Sequence, residues 1–123
     1  MNFEQVPEFQ KDLKRLSKKW HSLPEDIKAA ERDILPLYIE QEGVSITKLR
    51  EAFFGGYKAA ILKITDTSEV VKMRLDVADL GRSDKARVIF VAVKSENTIT
   101  FIELYAKNEK PREDTKRIKK YLS

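Results

Sequence analysis

The chain is expected to fold as an α+β domain: an N-terminal strand and a helical hairpin, then a mostly antiparallel sheet of about four strands, then a C-terminal helix. Three observations predict this. Apolar residues near the N-terminus recur at helical spacing. Between Ala59 and Tyr105 they alternate with polar residues, or run together in short segments separated by turn residues. After Pro111 the helical spacing returns.

Met1 to Val6 alternates apolar and polar residues and suits a short strand, which Pro7 ends while opening a helix. From Glu8 to Trp20 the apolar residues Phe9, Leu13, Leu16 and Trp20 trace one stripe, and Lys11, Lys14, Arg15, Lys18 and Lys19 occupy the other faces. Ser22-Leu-Pro-Glu25 matches a capping box with proline in the first turn. The helix it predicts places Ile27, Ala30, Ile34 and Leu37 on one face, widened by Leu35, Tyr38 and Ile39, and Pro36 bends it or ends it early. So tight a turn between two helices predicts an antiparallel hairpin.

Gly43 closes that unit. Ser45 to Phe54 holds a short helix stopped by Gly55-Gly56. Ala59 to Thr65 suits a strand and Asp66 to Glu69 a turn. Val70 to Val77 then alternates, with Val71, Met73 and Leu75 on one face and Lys72, Arg74 and Asp76 on the other. A polar loop spans Asp79 to Lys85. Val88 to Val93 is nearly all apolar, as a central strand buried on both sides should be. After a turn at Ser95-Glu-Asn97, a strand from Thr98 to Tyr105 sets Ile99, Phe101, Glu103 and Tyr105 on one face. Pro111 opens the last helix, which carries Ile118, Tyr121 and Leu122.

A length of 123 residues predicts one domain, residues 1–123. A domain of that size buries roughly two thirds of its unfolded surface, so it needs no disulfide or metal to hold it. With no cysteine and one histidine, His21, the chain lacks thiolate sites, disulfides and multi-histidine metal sites, and no cofactor or metal is expected. The N-terminus has neither a cationic segment nor an apolar one of leader type. No apolar run approaches the ~20 residues of a membrane span, so the expectation is a soluble, cytoplasmic protein with no membrane partner. The formal charge of +4 is modest, but 36% of the residues are charged. Distribution therefore matters more than the sum.

No P-loop, dinucleotide fingerprint or nucleophile elbow is present. The stretch from Val71 to Lys110 instead collects cations: Lys72, Arg74 and Arg87 on successive strands, with Lys107 and Lys110 where the last strand ends. If they share a face, they offer a phosphate both bidentate hydrogen bonds and point charges. They also offer a way to cleave RNA through its own 2′-hydroxyl, with arginines stabilising the phosphorane and a crowded lysine taking part in proton transfer. The alternative, cations at alternate strand positions that merely face water, stays open from spacing alone. Asp76, Asp79, Asp84 and Glu109 suit counter-charges. Glu103, in mid-strand, requires a cationic partner and is placed to position an arginine. Lys110, Arg112, Lys116, Arg117, Lys119 and Lys120 crowd the C-terminus and favour a polyanion, although lysines late in a helix also suit its dipole.

At these residues the chain resembles the RelE/ParE superfamily of type II toxin–antitoxin toxins. VPEFQKDLKRLSKK looks like the opening strand and helix of those toxins, VVKMRL and ARVIFVAV like their middle strands, and TITFIELYAKNEKPREDTKRIKKYL like their last strand and helix. Residues 41–69 match poorly. The resemblance implies a compact toxin neutralised by a cognate antitoxin protein. RelE-like members act with the ribosome as metal-independent mRNA endoribonucleases and inhibit translation. ParE-like members bind DNA gyrase instead, and an inactive relic is a further alternative. Carried over, Lys72 and Arg74 match a substrate-activating pair and Arg87 the arginine on the scissile phosphate, which makes these three the catalytic candidates. Lys107, Lys110 and Arg112 are the RNA-binding candidates. Asn108 stands where the nuclease branch often has arginine. Neither tyrosine nor histidine occurs from Glu113 to Thr115, where that branch often places a catalytic side chain, which leaves Tyr105 and Tyr121 as substitutes.

Overall fold

A computed structural model describes residues 1–81 and 85–122. Its elements in order are strand β1 (Asn2–Gln5), helices α1 (Pro7–Ser17), α2 (Leu23–Ile34) and α3 (Ile46–Phe54), strands β2 (Ala59–Ile64), β3 (Ser68–Leu75), β4 (Ala86–Val93) and β5 (Thr98–Ala106), and helix α4 (Thr115–Tyr121). The sheet order is β1-β5-β4-β3-β2. The last four strands are antiparallel, as their short connections require. β1 joins the edge parallel to β5, with Phe3 opposite Ile99 and Gln5 opposite Phe101.

The α1 stripe works as its spacing predicts. Phe9, Leu16 and Trp20 are buried, and Phe9 stacks on Phe101 with ring centroids 5.3 Å apart. The helix itself stops at Ser17, and Trp20 lies in the following turn, where its N–H donates to the Leu16 carbonyl at 2.9 Å. Pro36 ends α2 as expected, because the chain tightens into a 3₁₀ turn over Leu35–Leu37.

The capping box does not form. The Ser22 hydroxyl donates to Asp26 Oδ2 at 2.7 Å and accepts from the Asp79 N–H at 3.0 Å, while the Ser22 N–H donates to Asp79 Oδ2 at 3.0 Å. Asp26 Oδ1 also accepts from the Ala78 N–H at 3.2 Å. The serine thus ties α2 to the chain leaving β3, a tertiary demand that outweighs the local cap. The remainder of that loop, residues 82–84 with candidate counter-charge Asp84, lies outside the described residues.

α3 runs where the glycine pair predicts. Ser45 caps it by accepting from the Lys48 N–H at 3.3 Å. Gly55 is required at its end, because a Cβ there would lie 2.4 Å from the Glu51 carbonyl oxygen. None of its residues is fully buried. It is fastened by Arg50, which reaches the buried Glu69 carboxylate at 2.9 Å and lies over the rings of Tyr38 and Phe54.

The sheet has two differently used faces. Val71, Met73 and Leu75 stand opposite Phe90, Val88 and Ala86, and Phe90 stands opposite Phe101, beneath α1 and α2. The sequence pattern extends the Phe101 face to Glu103 and Tyr105, and the structure corrects this. Phe90 pairs with Phe101 but Ile89 pairs with Glu103, so Ile102 is an extra residue in β5. Such a bulge reverses the alternation beyond it. Glu103 and Tyr105 therefore join Lys72, Arg74 and Arg87 on the face away from α1 and α2. Part of that second face is covered by α4, whose Ile118 lines a cleft with Leu62 and Val70.

The last helix begins at Thr115 and not at Pro111. Asp114 is its N-cap, accepting from the Arg117 N–H at 3.0 Å. The four residues from Pro111 stay outside the helix, and the Asp114 N–H is drawn to Glu103 Oε1 at 2.8 Å instead. Among the described residues no helix is long and apolar enough to cross a membrane.

Candidate nucleic-acid interface

Lys72 and Arg74 belong to β3, and their alternation with the buried Val71, Met73 and Leu75 turns both to the second face. Arg87 begins β4 directly opposite Arg74. Like charges placed opposite one another across a ladder destabilise it unless something anionic offsets them. Lys72, Arg74 and Arg87 line one pocket of about 350 Å³. Tyr105, Lys107 and Pro111 complete one wall, and Gly56, Tyr57, Lys58, Ala59 and Ala60 the other.

Arg87 is largely buried in the pocket lining, donating from Nη1 to the Ala86 carbonyl at 3.2 Å. Lys72 Nζ donates to Glu113 Oε1 at 3.0 Å. Glu103, only 1% exposed, finds the cationic partner that burial requires, though the partner is Lys110 and not an arginine. Lys110 also lies over the Tyr105 ring, 5.2 Å from its centroid. The Tyr105 hydroxyl is pushed up to about 12 by burial first, then by the charges of Glu113 and Glu103, against a smaller opposing effect of Arg87.

The sequence candidates therefore separate. Lys72, Arg74, Arg87 and Lys107 share the pocket. Lys110 is held beside it by Glu103 and Tyr105. Arg112 is exposed on the approach to α4 and does not line the pocket. Of the two substitute tyrosines, Tyr105 is in the pocket, whereas Tyr121 donates to Glu8 at the start of α1. Tyr57 and Lys58 were not anticipated, although an aromatic residue set between a glycine pair and a strand is a visible signal. Among the described residues no three acidic or imidazole side chains assemble into a metal-binding group.

Against known proteins, no family model matches the chain and no curated protein matches it. Among solved structures it is similar to an archaeal RelE–RelB complex from Pyrococcus horikoshii OT3. The match is at 17% identity with a TM-score of 0.52, and covers 89% of this chain and 97% of that one. At that identity the likeness is one of fold: the chain has the RelE-like α+β architecture.

Proposed function

We propose that this protein is the toxin of a type II toxin–antitoxin system and acts as a ribosome-dependent, metal-independent mRNA endoribonuclease. The observation that carries the proposal is the shared pocket: Lys72, Arg74 and Arg87 face one space, with Tyr105 in its wall. In the reaction the 2′-oxygen attacks phosphorus and the bond to the 5′-oxygen breaks, leaving a 2′,3′-cyclic phosphate and a 5′-hydroxyl. Arg74 and Arg87 stabilise the added charge on the phosphorane oxygens. Lys72 acts as a third cation, exchanging its Glu113 contact for phosphate. The proton of the 2′-hydroxyl passes to solvent. Tyr105 fits the role of acid: a hydroxyl that titrates near 12 stays protonated at neutral pH and can protonate the leaving oxygen. Lys107 holds the flanking backbone. A partner antitoxin that covers this face would neutralise it, and the location would be cytoplasmic.

One observation favours a second reading. Glu113 and Glu103 already occupy Lys72 and Lys110, a mixed-charge surface that suits a protein target such as DNA gyrase. Expression without antitoxin separates the two. Growth arrest with ribosome-bound mRNA cut within codons supports the nuclease. Lost supercoiling with intact mRNA supports the gyrase reading, and normal growth at high expression rejects both. Arg87→Ala should abolish toxicity while the circular dichroism spectrum is retained. Undiminished toxicity in that variant removes the proposed site.

A further inference from the structure

Tyr57 is the most exposed large hydrophobic side chain among the described residues, at 86%, and it stands at the mouth of the cationic pocket. Exposed single aromatics need no special account, but the chain beside this one is set by its neighbours. Two residues before it, α3 ends at Gly55, where no side chain fits. On the other side the Arg74 N–H donates to the Lys58 carbonyl at 2.8 Å, extending the ladder one residue beyond β2. The guanidinium of Arg74 then lies over the Tyr57 ring, 5.4 Å from its centroid. The ring is therefore placed beside one of the phosphate-binding arginines and remains open to solvent.

We infer that Tyr57 is a base-stacking platform: it receives the nucleobase next to the scissile phosphate while Arg74 bridges the ring and the phosphate. The inference rests on the nuclease reading above and adds to it a subsite for an unpaired base. Every base has a π-face, so a stacking platform tolerates sequence and adds affinity for single-stranded RNA over a bare polyphosphate. The arginine beside the ring serves the same end, since a planar cation binds both a π-face and a phosphate. Tyr57 lies in the part of the chain that resembles the toxin superfamily least, so the sequence alone assigns it no role.

The test uses ribosomes programmed with mRNA and single-turnover cleavage by wild type, Tyr57→Ala, Tyr57→Phe and Arg87→Ala. A second mRNA carries an abasic nucleotide at the base flanking the cut. Tyr57→Ala should raise the half-saturating toxin concentration roughly 5- to 150-fold, the range of one lost base–aromatic stack, with a smaller change in the rate at saturation. Tyr57→Phe, which keeps the ring, should match wild type. On abasic mRNA, wild type and Tyr57→Ala should become equal. Wild-type cleavage unaffected by Tyr57→Ala, but lost in Arg87→Ala, overturns the stacking role and leaves the nuclease standing. Equal loss in Tyr57→Ala on intact and abasic mRNA also overturns it, because the ring then acts on something other than the base. No cleavage by wild type overturns the nuclease reading and the subsite with it.

Discussion

Replacing Asp12 by alanine should destabilise the fold more than any surface charge change, because Asp12 holds the bulge that builds the site. β1 accompanies β5 only as far as Phe101. Beyond that point the outer edge of β5 would expose the Leu104 N–H and the Ile102 carbonyl. Asp12 Oδ2 accepts from the Leu104 N–H at 3.1 Å, and Arg117 Nη1 donates to the Ile102 carbonyl at 3.1 Å. The two side chains also meet each other at 2.6 Å, with side-chain exposures of 13% and 18%. Burial alone would lower the Arg117 pKa, but the hydrogen bond and charge of Asp12 more than offset it and leave it raised. A hydrogen bond to a charged group contributes about 1.5–3 kcal/mol, and a buried donor left without a partner costs a further ~1–3 kcal/mol. Since water can reach part of the vacated space, we expect a loss of about 3 kcal/mol. With a urea m-value of about 1.5 kcal/mol/M, the midpoint falls by about 2 M at unchanged m. Asp12→Asn keeps an acceptor for Leu104 and loses only the charge, so it should fall about half as far. In a double-mutant cycle with Arg117→Met, a coupling of at least about 1 kcal/mol is expected. A midpoint shift below about 0.5 M for Asp12→Ala, or strict additivity with Arg117→Met, would refute the assignment.

Two further outcomes follow from the titrating groups. The Glu8 carboxyl is held near 2 by its hydrogen bonds from Tyr121 and Lys120, against an ordinary value of 4.5. Its stabilisation is therefore fully present above pH 4.5 and disappears as pH falls through about 2. Glu8→Gln should flatten the fall of Tm between those limits, and an unchanged acid limb would show that the contact between α4 and α1 is not maintained in solution. Tyr105→Phe should lower the cleavage rate at saturation by roughly 10²–10⁴-fold while half-saturation stays near wild type. Because the hydroxyl titrates near 12, the wild-type rate should show no descending limb attributable to it below about pH 10. A descending limb near pH 9 that vanishes in Tyr105→Phe would contradict the depiction of its surroundings.

The elements were largely legible in the chain because each is driven by a strong local pattern. The α1 stripe, the Pro36 stop, the glycine exit from α3 and the alternation in β3 all act within a few residues. What escaped the sequence was set by contacts between distant parts. Ser22 abandons its local cap for Asp79 and Asp26, 57 and 4 residues away. The non-helical run from Pro111 is tied at Asp114 to Glu103, which favours a helix start at Thr115 over an earlier one. The fastening of α3 through Arg50 and Glu69 crosses a stretch that the pattern barely describes. Spacing offers a shared face for the cationic trio, since all three lie in strands whose alternation is regular, but leaves open whether they only face water; the structure puts all three along one pocket. The placement of Glu103 and Tyr105 was not, since one inserted residue leaves no mark on the apolar pattern of β5.

That inserted residue decides what the face can do. The eight β3–β4 pairs run without interruption from Ser68 opposite Val93 to Leu75 opposite Ala86, so Lys72, Arg74 and Arg87 stand on the most regular part of the sheet. The strands on either side are each bulged, β2 between Ile61 and Lys63 and β5 at Ile102. Bulges re-aim side chains at the margins of sites without disturbing the ladder beside them. Without the β5 bulge, Tyr105 and Glu103 would turn toward α1 and α2, into the apolar layer that holds Phe9, Leu16 and Phe101. The pocket would lose its hydroxyl wall, and Lys110 would lose the partner that brings it alongside. On the proposed nuclease reading, the regular ladder would hold the phosphate while the bulged strands on either side set which groups meet the nucleotide.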